Sequence, residues 1–179
     1  MVKMKGVILT GGRGTPLYPL TNITNKHLLP VYDKPMIYYP SETLIEAEIE
    51  DILIVTGGVI TQVIFSVFLG NGVEFGLKHL NYTYQEAKRG IAAALALAEH
   101  FSKGEKIVVI LGDRTLEKDI KKGIERFAKQ EKGARIFLKE VGNPSEYGVA
   151  GIKRGNNKYR REAPFHTESN YAVTGEITS

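Results

Sequence analysis

Short apolar runs alternate with amphipathic stretches along most of the chain, and glycines punctuate the switches. "MKGVIL" is a short apolar run halted by Thr10, Gly11 and Gly12, which predicts a buried strand. "DILIVTGG" repeats that strand-then-glycine pattern, and "LNYTYQ", "KIVVILGD" and "ARIFLKEV" predict three further strands. Helices are predicted between them. "SETLIEAEI" carries helix formers behind a start signal at Ser41. "VITQVIFSVFLGNG" predicts a helix closed by Gly70, Asn71 and Gly72, against the pull of its β-branched residues. "GIAAALALAEHF" reads as one alanine-rich helix, and "KDIKKGIERFAKQ" sets Ile120, Ile124 and Phe127 on one face with lysines opposite. Past Gly142 the segments shorten and fill with Gly, Asn and Pro, which predicts a small β-rich region.

Strand and helix in alternation predict a mainly parallel sheet with helices on both faces, a three-layer, Rossmann-like α/β fold. No repeat or linker interrupts the pattern, so residues 1–179 are expected to form a single domain. The net charge of +4 is spread along the chain and suits an anionic small molecule. It includes no compact basic tract for gripping nucleic acid. With no cysteine, disulfides, zinc–thiolate sites and thiol nucleophiles are excluded. No apolar run reaches the roughly 20 residues of a membrane span. The opening "MVKMKGVILTGG" is too short and too soon broken by glycine for a signal peptide, and a cytoplasmic location is expected.

In such sheets ligands sit beyond the carboxyl ends of the strands. Gly11, Gly12 and Gly14 lie at one such end, where a backbone without side chains can approach a phosphate closely. The same glycines also fit a plain tight turn. Two familiar phosphate loops are ruled out by spacing. The Walker pattern ends in Gly-Lys-Ser/Thr, which is absent, and the dinucleotide pattern opens a helix where Pro16, Leu17, Tyr18 and Pro19 stand.

The longer stretch "LTGGRGTPLYPLTNITNKHLLPVYDKPMIYYP" resembles the signature of sugar-phosphate nucleotidylyltransferases, G-G-x-G-T-R-L-x-P-L-T followed by K-x-L-L-P-V and K-P-M-I. The likeness continues through "YQEAKRGIAAAL", "LGD", "NPSEYGVAGI" and "SNYAVTG", in the family's order and over nearly the whole chain. The resemblance implies the nucleotide-diphospho-sugar transferase type of fold. It also implies a reaction that joins a sugar 1-phosphate to a nucleoside triphosphate and releases pyrophosphate, with Mg²⁺ as cofactor. Glucose 1-phosphate is the expected sugar and dTTP or UTP the expected nucleotide.

Carried across residue by residue, the resemblance assigns the triphosphate to Gly11, Gly12, Gly14 and Thr15, with Leu9 also in the nucleotide site and Lys26 on the phosphates. Gln85 would meet the nucleobase edge, Gly90 would open a helix beside it, and Asp113 would hold Mg²⁺. Tyr147, Gly148, Glu162, Asn170, Tyr171, Val173 and Thr174 fall in the sugar-side motifs. Taken without the motifs, Lys26 reads as a solvated loop lysine and Val173 as a core residue, while Gln85 fits a polar strand end and Asp113 a turn cap as well as a ligand contact.

Three positions depart from the family pattern. The loop arginine is Pro16, the lysine that follows the sugar-binding glutamate is Ala163, and the asparagine after the metal aspartate is Arg114. Proline brings neither charge nor N–H, and Arg114 would compete with the metal for Asp113. Arg13 is the nearest substitute for the missing arginine. The chain is also expected to lack the family's C-terminal portion, with its second metal aspartate, and to self-associate as a homo-oligomer. Two functions stay open on these grounds: a nucleotidyltransferase, or a non-catalytic relative that binds nucleotide or nucleotide sugar or serves as a partner subunit.

Overall fold

The structure, a computed structural model, describes residues 3–12, 14–86, 89–116, 119–144, 149–153, 156–160 and 171–178. Its centre is four parallel strands. β1 (Lys5–Thr10) lies between β4 (Asp51–Thr56) and β6 (Ile107–Leu111), and β5 (His79–Tyr84) flanks β4. β2 (Pro30–Val31) and β3 (Lys34–Pro35) form a separate small ribbon.

Alternation along the central strands feeds two cores. Ile8, Ile52, Ile54, Val108 and Ile110 point to one face. There they meet α1 (Tyr38–Glu46), α2 (Val59–Leu69) and α5 (Lys121–Ala128), with Leu44, Phe65 and Phe127 fully buried. Val7, Leu9, Leu53, Val55 and Val109 point to the other face, where α3 (Ile91–Ala96) and α4 (Glu99–Ser102) bring Ala94, Leu95, Ala98 and Phe101. The expected helix–sheet–helix layering is what these two cores make.

Two local expectations are corrected, and a third is extended. Ser41 does not start α1, which begins at Tyr38. Its hydroxyl instead donates to the Ile37 carbonyl one turn back at 2.8 Å, the bond a serine makes inside a helix. "GIAAALALAEHF" forms two helices rather than one. Leu97 N–H and Ala98 N–H bond three residues back, to Ala94 and Leu95, so the backbone tightens where buried Ala98 packs on the sheet. The β-rich region past Gly142 joins the main sheet. β10 (Tyr171–Thr178) runs antiparallel to β6 and to β7 (Ala134–Glu140), and β8 (Val149–Lys153) and β9 (Asn156–Arg160) extend the sheet from there. The β10–β7 register shifts between Val173 and Gly175.

Despite its β-branched residues, α2 is a helix because Phe65 and Leu69, four residues apart, anchor one side in the core. Its outer side shows Val59, Ile60, Val63, Val67 and Phe68 to the exterior. Among the described residues, no helix is long and apolar enough to cross a membrane.

Candidate functional site

The loops that leave β1, β4, β5 and β6 converge at their carboxyl ends around a cavity of about 510 Å³. Leu9, Gly11, Gly12, Lys26, Gln85, Gly90 and Asp113 all line it. The parallel strands fix this geometry, because Leu9 is in register with both Val55 and Leu111.

The glycines of the first loop divide their work. A Cβ on Gly11 would meet nothing within 4 Å, so the space above it is open for a ligand. Gly14 is buried and does not line the cavity. Its backbone is left-handed at φ 62°, and a Cβ there would stand 2.7 Å from the Thr21 methyl and 3.1 Å from Lys26 Cβ. Gly14 therefore shapes the loop rather than touching the cavity, and Thr15, exposed at the start of the next turn, does not line it either. Pro16 is the second residue of that single 3₁₀ turn, where an N–H has no partner to lose.

Lys26 rises from a second 3₁₀ turn, Lys26–Leu28. Asn25 caps it, its Oδ1 accepting from His27 N–H at 2.9 Å and lying 2.6 Å from His27 Nδ1. Because that oxygen only accepts, Nδ1 must carry the proton and Nε2 the lone pair. His27 is buried, with its ring under the turn after β6. A Cβ on Gly112 would stand 2.8 Å from His27 Cδ2 and 2.8 Å from the Thr10 methyl, so only glycine lets this turn close on the ring. Burial, helped by the neighbouring Lys26 ammonium and opposed by Asp113, lowers the His27 pKa to about 4. At neutral pH the imidazole is uncharged.

Lys26 Nζ donates to Asp113 Oδ2 at 2.6 Å, with the two side chains 20% and 35% exposed. Burial pushes the Asp113 carboxyl up, but the Lys26 hydrogen bond and charge, with His27 and Arg114 behind them, hold it below the usual carboxylate range. Lys26 and Asp113, expected on phosphate and on metal respectively, are thus partners of each other. Arg114 adds only the last of these influences, so the cation in contact with Asp113 is Lys26. Gln85 sits just past β5, its N–H bonded to Thr56 O at 2.9 Å and its amide nitrogen 3.4 Å from Gly90 O.

Among the described residues, no group of three or more acidic, histidine or cysteine side chains is gathered as a metal cluster. One partly exposed, ionised carboxylate facing a cavity still fits an ion such as Mg²⁺, which commonly takes one or two carboxylates and completes its shell with substrate phosphates.

Asn25, His27, Gly57, Thr61, Ile91 and Ala94 also line the cavity and were not singled out from the sequence. Asn25 and His27 lie inside the "NKHLLP" motif, and Gly57 repeats the strand-then-glycine pattern. That repetition was the available signal: a Cβ on Gly57 would stand 3.8 Å from Gly11 Cα, so the loops after β1 and β4 touch. Arg13, Tyr147, Gly148, Glu162, Ala163 and Asn170 lie outside the described residues. Tyr171, Val173 and Thr174 are on β10.

Residues 5–177 match the family model described as Nucleotidyl transferase. A glucose-1-phosphate thymidylyltransferase from Neisseria meningitidis serogroup A / serotype 4A is 39% identical over 177 residues, covering 96% of this chain and 60% of that protein. A Bacillus anthracis crystal structure described as a glucose-1-phosphate thymidylyltransferase in complex with a sucrose aligns with a TM-score of 0.92 at 43% identity, over 98% of this chain and 71% of that one. A UDP-glucose pyrophosphorylase complexed with UDP-glucose aligns with a TM-score of 0.78 at 25% identity, over 100% of this chain and 76% of that one. The chain spans about 60% of the length of the curated relatives it matches.

Proposed function

The chain belongs to the nucleotidyl transferase family, and from that premise we propose that it joins a sugar 1-phosphate to a nucleoside triphosphate, giving a nucleotide sugar and pyrophosphate. The observation that carries this reading is the convergence of Gly11, Gly12, Lys26, Gln85, Gly90 and Asp113 on one cavity at the carboxyl ends of the parallel strands. The proposed sugar is glucose 1-phosphate. The nucleotide is dTTP or UTP, in keeping with the names of the thymidylyltransferase and UDP-glucose pyrophosphorylase relatives.

In the reaction, an oxygen of the sugar phosphate bonds to the α-phosphorus. The bond from that phosphorus to the bridging oxygen breaks, and pyrophosphate leaves with the electron pair. The protein has little covalent work to do; it aligns two anions and neutralises charge. The open backbone at Gly11 and Gly12 receives the triphosphate, and Lys26 meets its charge as a mobile ammonium. Gln85 offers both donor and acceptor to a base edge, and the Gly90 backbone lies beside it. Members of the family use divalent metal ions. In this reading the ion is Mg²⁺, Asp113 would hold it, and it would neutralise phosphate charge. Tyr147, Gly148, Glu162, Asn170 and Tyr171 are proposed for the sugar phosphate, and self-association of the chain belongs to the same reading.

A second reading rests on Pro16. The position that carries a cation in the family signature is a proline seated in a 3₁₀ turn, and a chain without that charge would bind nucleotide more readily than it turns it over. One assay separates the two. Pyrophosphate release is followed with glucose 1-phosphate and dTTP or UTP, beside calorimetry of nucleotide binding. Release above background is the expected result. Nucleotide binding with no release favours the non-catalytic relative, and neither binding nor release defeats both.

A further inference from the structure

We propose that Lys26 acts as a latch on Asp113, keeping the carboxylate closed to a divalent metal until a triphosphate draws the lysine away. The proposal rests on the reading above, in which Asp113 is the metal ligand and the glycine loop receives phosphate.

The geometry is competitive at a single atom. Lys26 Nζ lies 2.6 Å from Asp113 Oδ2. An ammonium at that distance holds a lone pair of the oxygen and repels a second cation approaching the same carboxylate. Among the described residues, Lys26 is the ion-pair partner of Asp113. The same ammonium is already beside the phosphate loop: a Cβ on Gly12 would be 3.9 Å from Lys26 Cε and Nζ. Both destinations are thus within reach of a side-chain rotation, with no movement of the main chain.

The base of the lysine is meanwhile fixed. Asn25 caps its turn, Ile37 N–H bonds to His27 O at 2.9 Å, and the Lys26 stem packs against Gly14. What is free to exchange is the charged tip. A triphosphate on the loop supplies an alternative acceptor for that tip and leaves Asp113 open, so triphosphate and metal each strengthen binding of the other. By linkage the two strengthenings are equal. Metal alone finds the carboxylate already neutralised.

Mn²⁺ serves as the probe, its free concentration read by electron paramagnetic resonance in titrations of the nucleotide-free full chain. Wild type, Lys26→Met, Asp113→Asn and the double variant are compared. The same titrations are then run with a dTTP analogue carrying a methylene bridge between the α and β phosphorus atoms, after correction for Mn²⁺ on the free analogue. Lys26→Met keeps the aliphatic stem, and Lys26→Gln, checked by thermal melting, gives a second version of the same loss.

Both Lys26 variants are expected to bind Mn²⁺ alone about tenfold more tightly than wild type, within the usual range of site-to-site coupling. That gain should vanish when Asp113→Asn is added. The analogue should tighten Mn²⁺ binding in wild type far more than in Lys26→Met. Equal Mn²⁺ affinity in wild type and both Lys26 variants, with Asp113→Asn abolishing it, overturns the latch and leaves Asp113 as the ligand. Mn²⁺ binding that is indifferent to Asp113→Asn in every background overturns the metal assignment and the latch with it.

Discussion

The two ends of the parallel sheet each hold a carboxylate against a cation, and they hold it differently. At the amino end, Asp51 opens β4 and His79 opens β5, and the two are register partners on adjacent strands. His79 Nδ1 lies 2.8 Å from Asp51 Oδ1, the Lys3 ammonium lies 3.6 Å from Asp51 Oδ2, and the Asp51 side chain is only 13% exposed. At the carboxyl end, Asp113 and Lys26 sit on loops 87 residues apart, over a cavity. The first pair stands on adjacent strands whose register keeps the two main chains side by side. The second is held by side-chain tips alone and can change partners while the backbone stands still. Similar chemistry thus makes a fastening at one end of a strand and a switchable contact at the other, and strand direction decides which.

The sharpest way to break this contrast is to neutralise each carboxylate in turn. Asp113→Asn is expected to lower pyrophosphate release by roughly 10²–10³, the scale for losing one electrostatic contact at a reacting phosphate. Its melting temperature should stay near that of the wild type. Asp51→Asn should do the reverse, costing about 1 kcal/mol of stability, measured by urea unfolding, with release nearly unchanged. The contrast fails if Asp51→Asn harms turnover more than stability.

The ends should also respond to acid in different windows. His27, at the carboxyl end, has its pKa lowered from 6.5 to about 4 by burial. A base whose folded pKa is depressed gives stability that is complete above pH 6.5 and is lost as pH falls toward 4, here about 3 kcal/mol by linkage. Urea unfolding at intervals from pH 7.5 to 4 should reveal that loss. His27→Gln should remove most of the slope, and an unchanged slope would locate the proton uptake elsewhere.

The smallest expected effect is at Asp51. Burial pushes its carboxyl up, but the His79 hydrogen bond and Lys3 more than offset that, so the folded pKa lies below its ordinary value of 3.8. Its contribution is therefore present above pH 3.8 and lost only as pH falls below it. In a background where His27→Gln has removed the upper limb, the residual loss below pH 4, which Asp113 shares, should shrink on adding Asp51→Asn.

Much of this fold was legible in local sequence because apolar runs ending in glycine mark buried parallel strands. β1, β4 and β6 were visible in that way, and the motifs brought Leu9, Gln85, Gly90 and Asp113 to the same ends. What escaped depends on distant partners. β10 slots between β6 and β7 through antiparallel register that no local period encodes. The "GIAAALALAEHF" helix broke because Ala98 is pulled against the sheet, which alanine's helix preference could not announce. The Lys26–Asp113 contact joins two motifs that were each visible in the sequence but whose meeting was not. His27 drew no notice as a single histidine in a loop, yet its ring is the packing on which Gly112 and the Asp113 loop rest.

β1 is the first of the central strands in the chain and lies between β4 and β6 in the sheet. During vectorial synthesis it therefore emerges before either neighbour and waits, with Val7 and Ile8 uncovered, until β4 supplies one edge. Leu9 then needs Leu111 for the other edge, a closure across about 100 residues, whose entropic cost must be met before the contact forms although it grows only slowly with length. Asp113 reaches Lys26 only after that closure. The cavity is thus closed only after β6 has docked on β1, and contact order sets the pace at which the carboxyl end of the sheet comes into being.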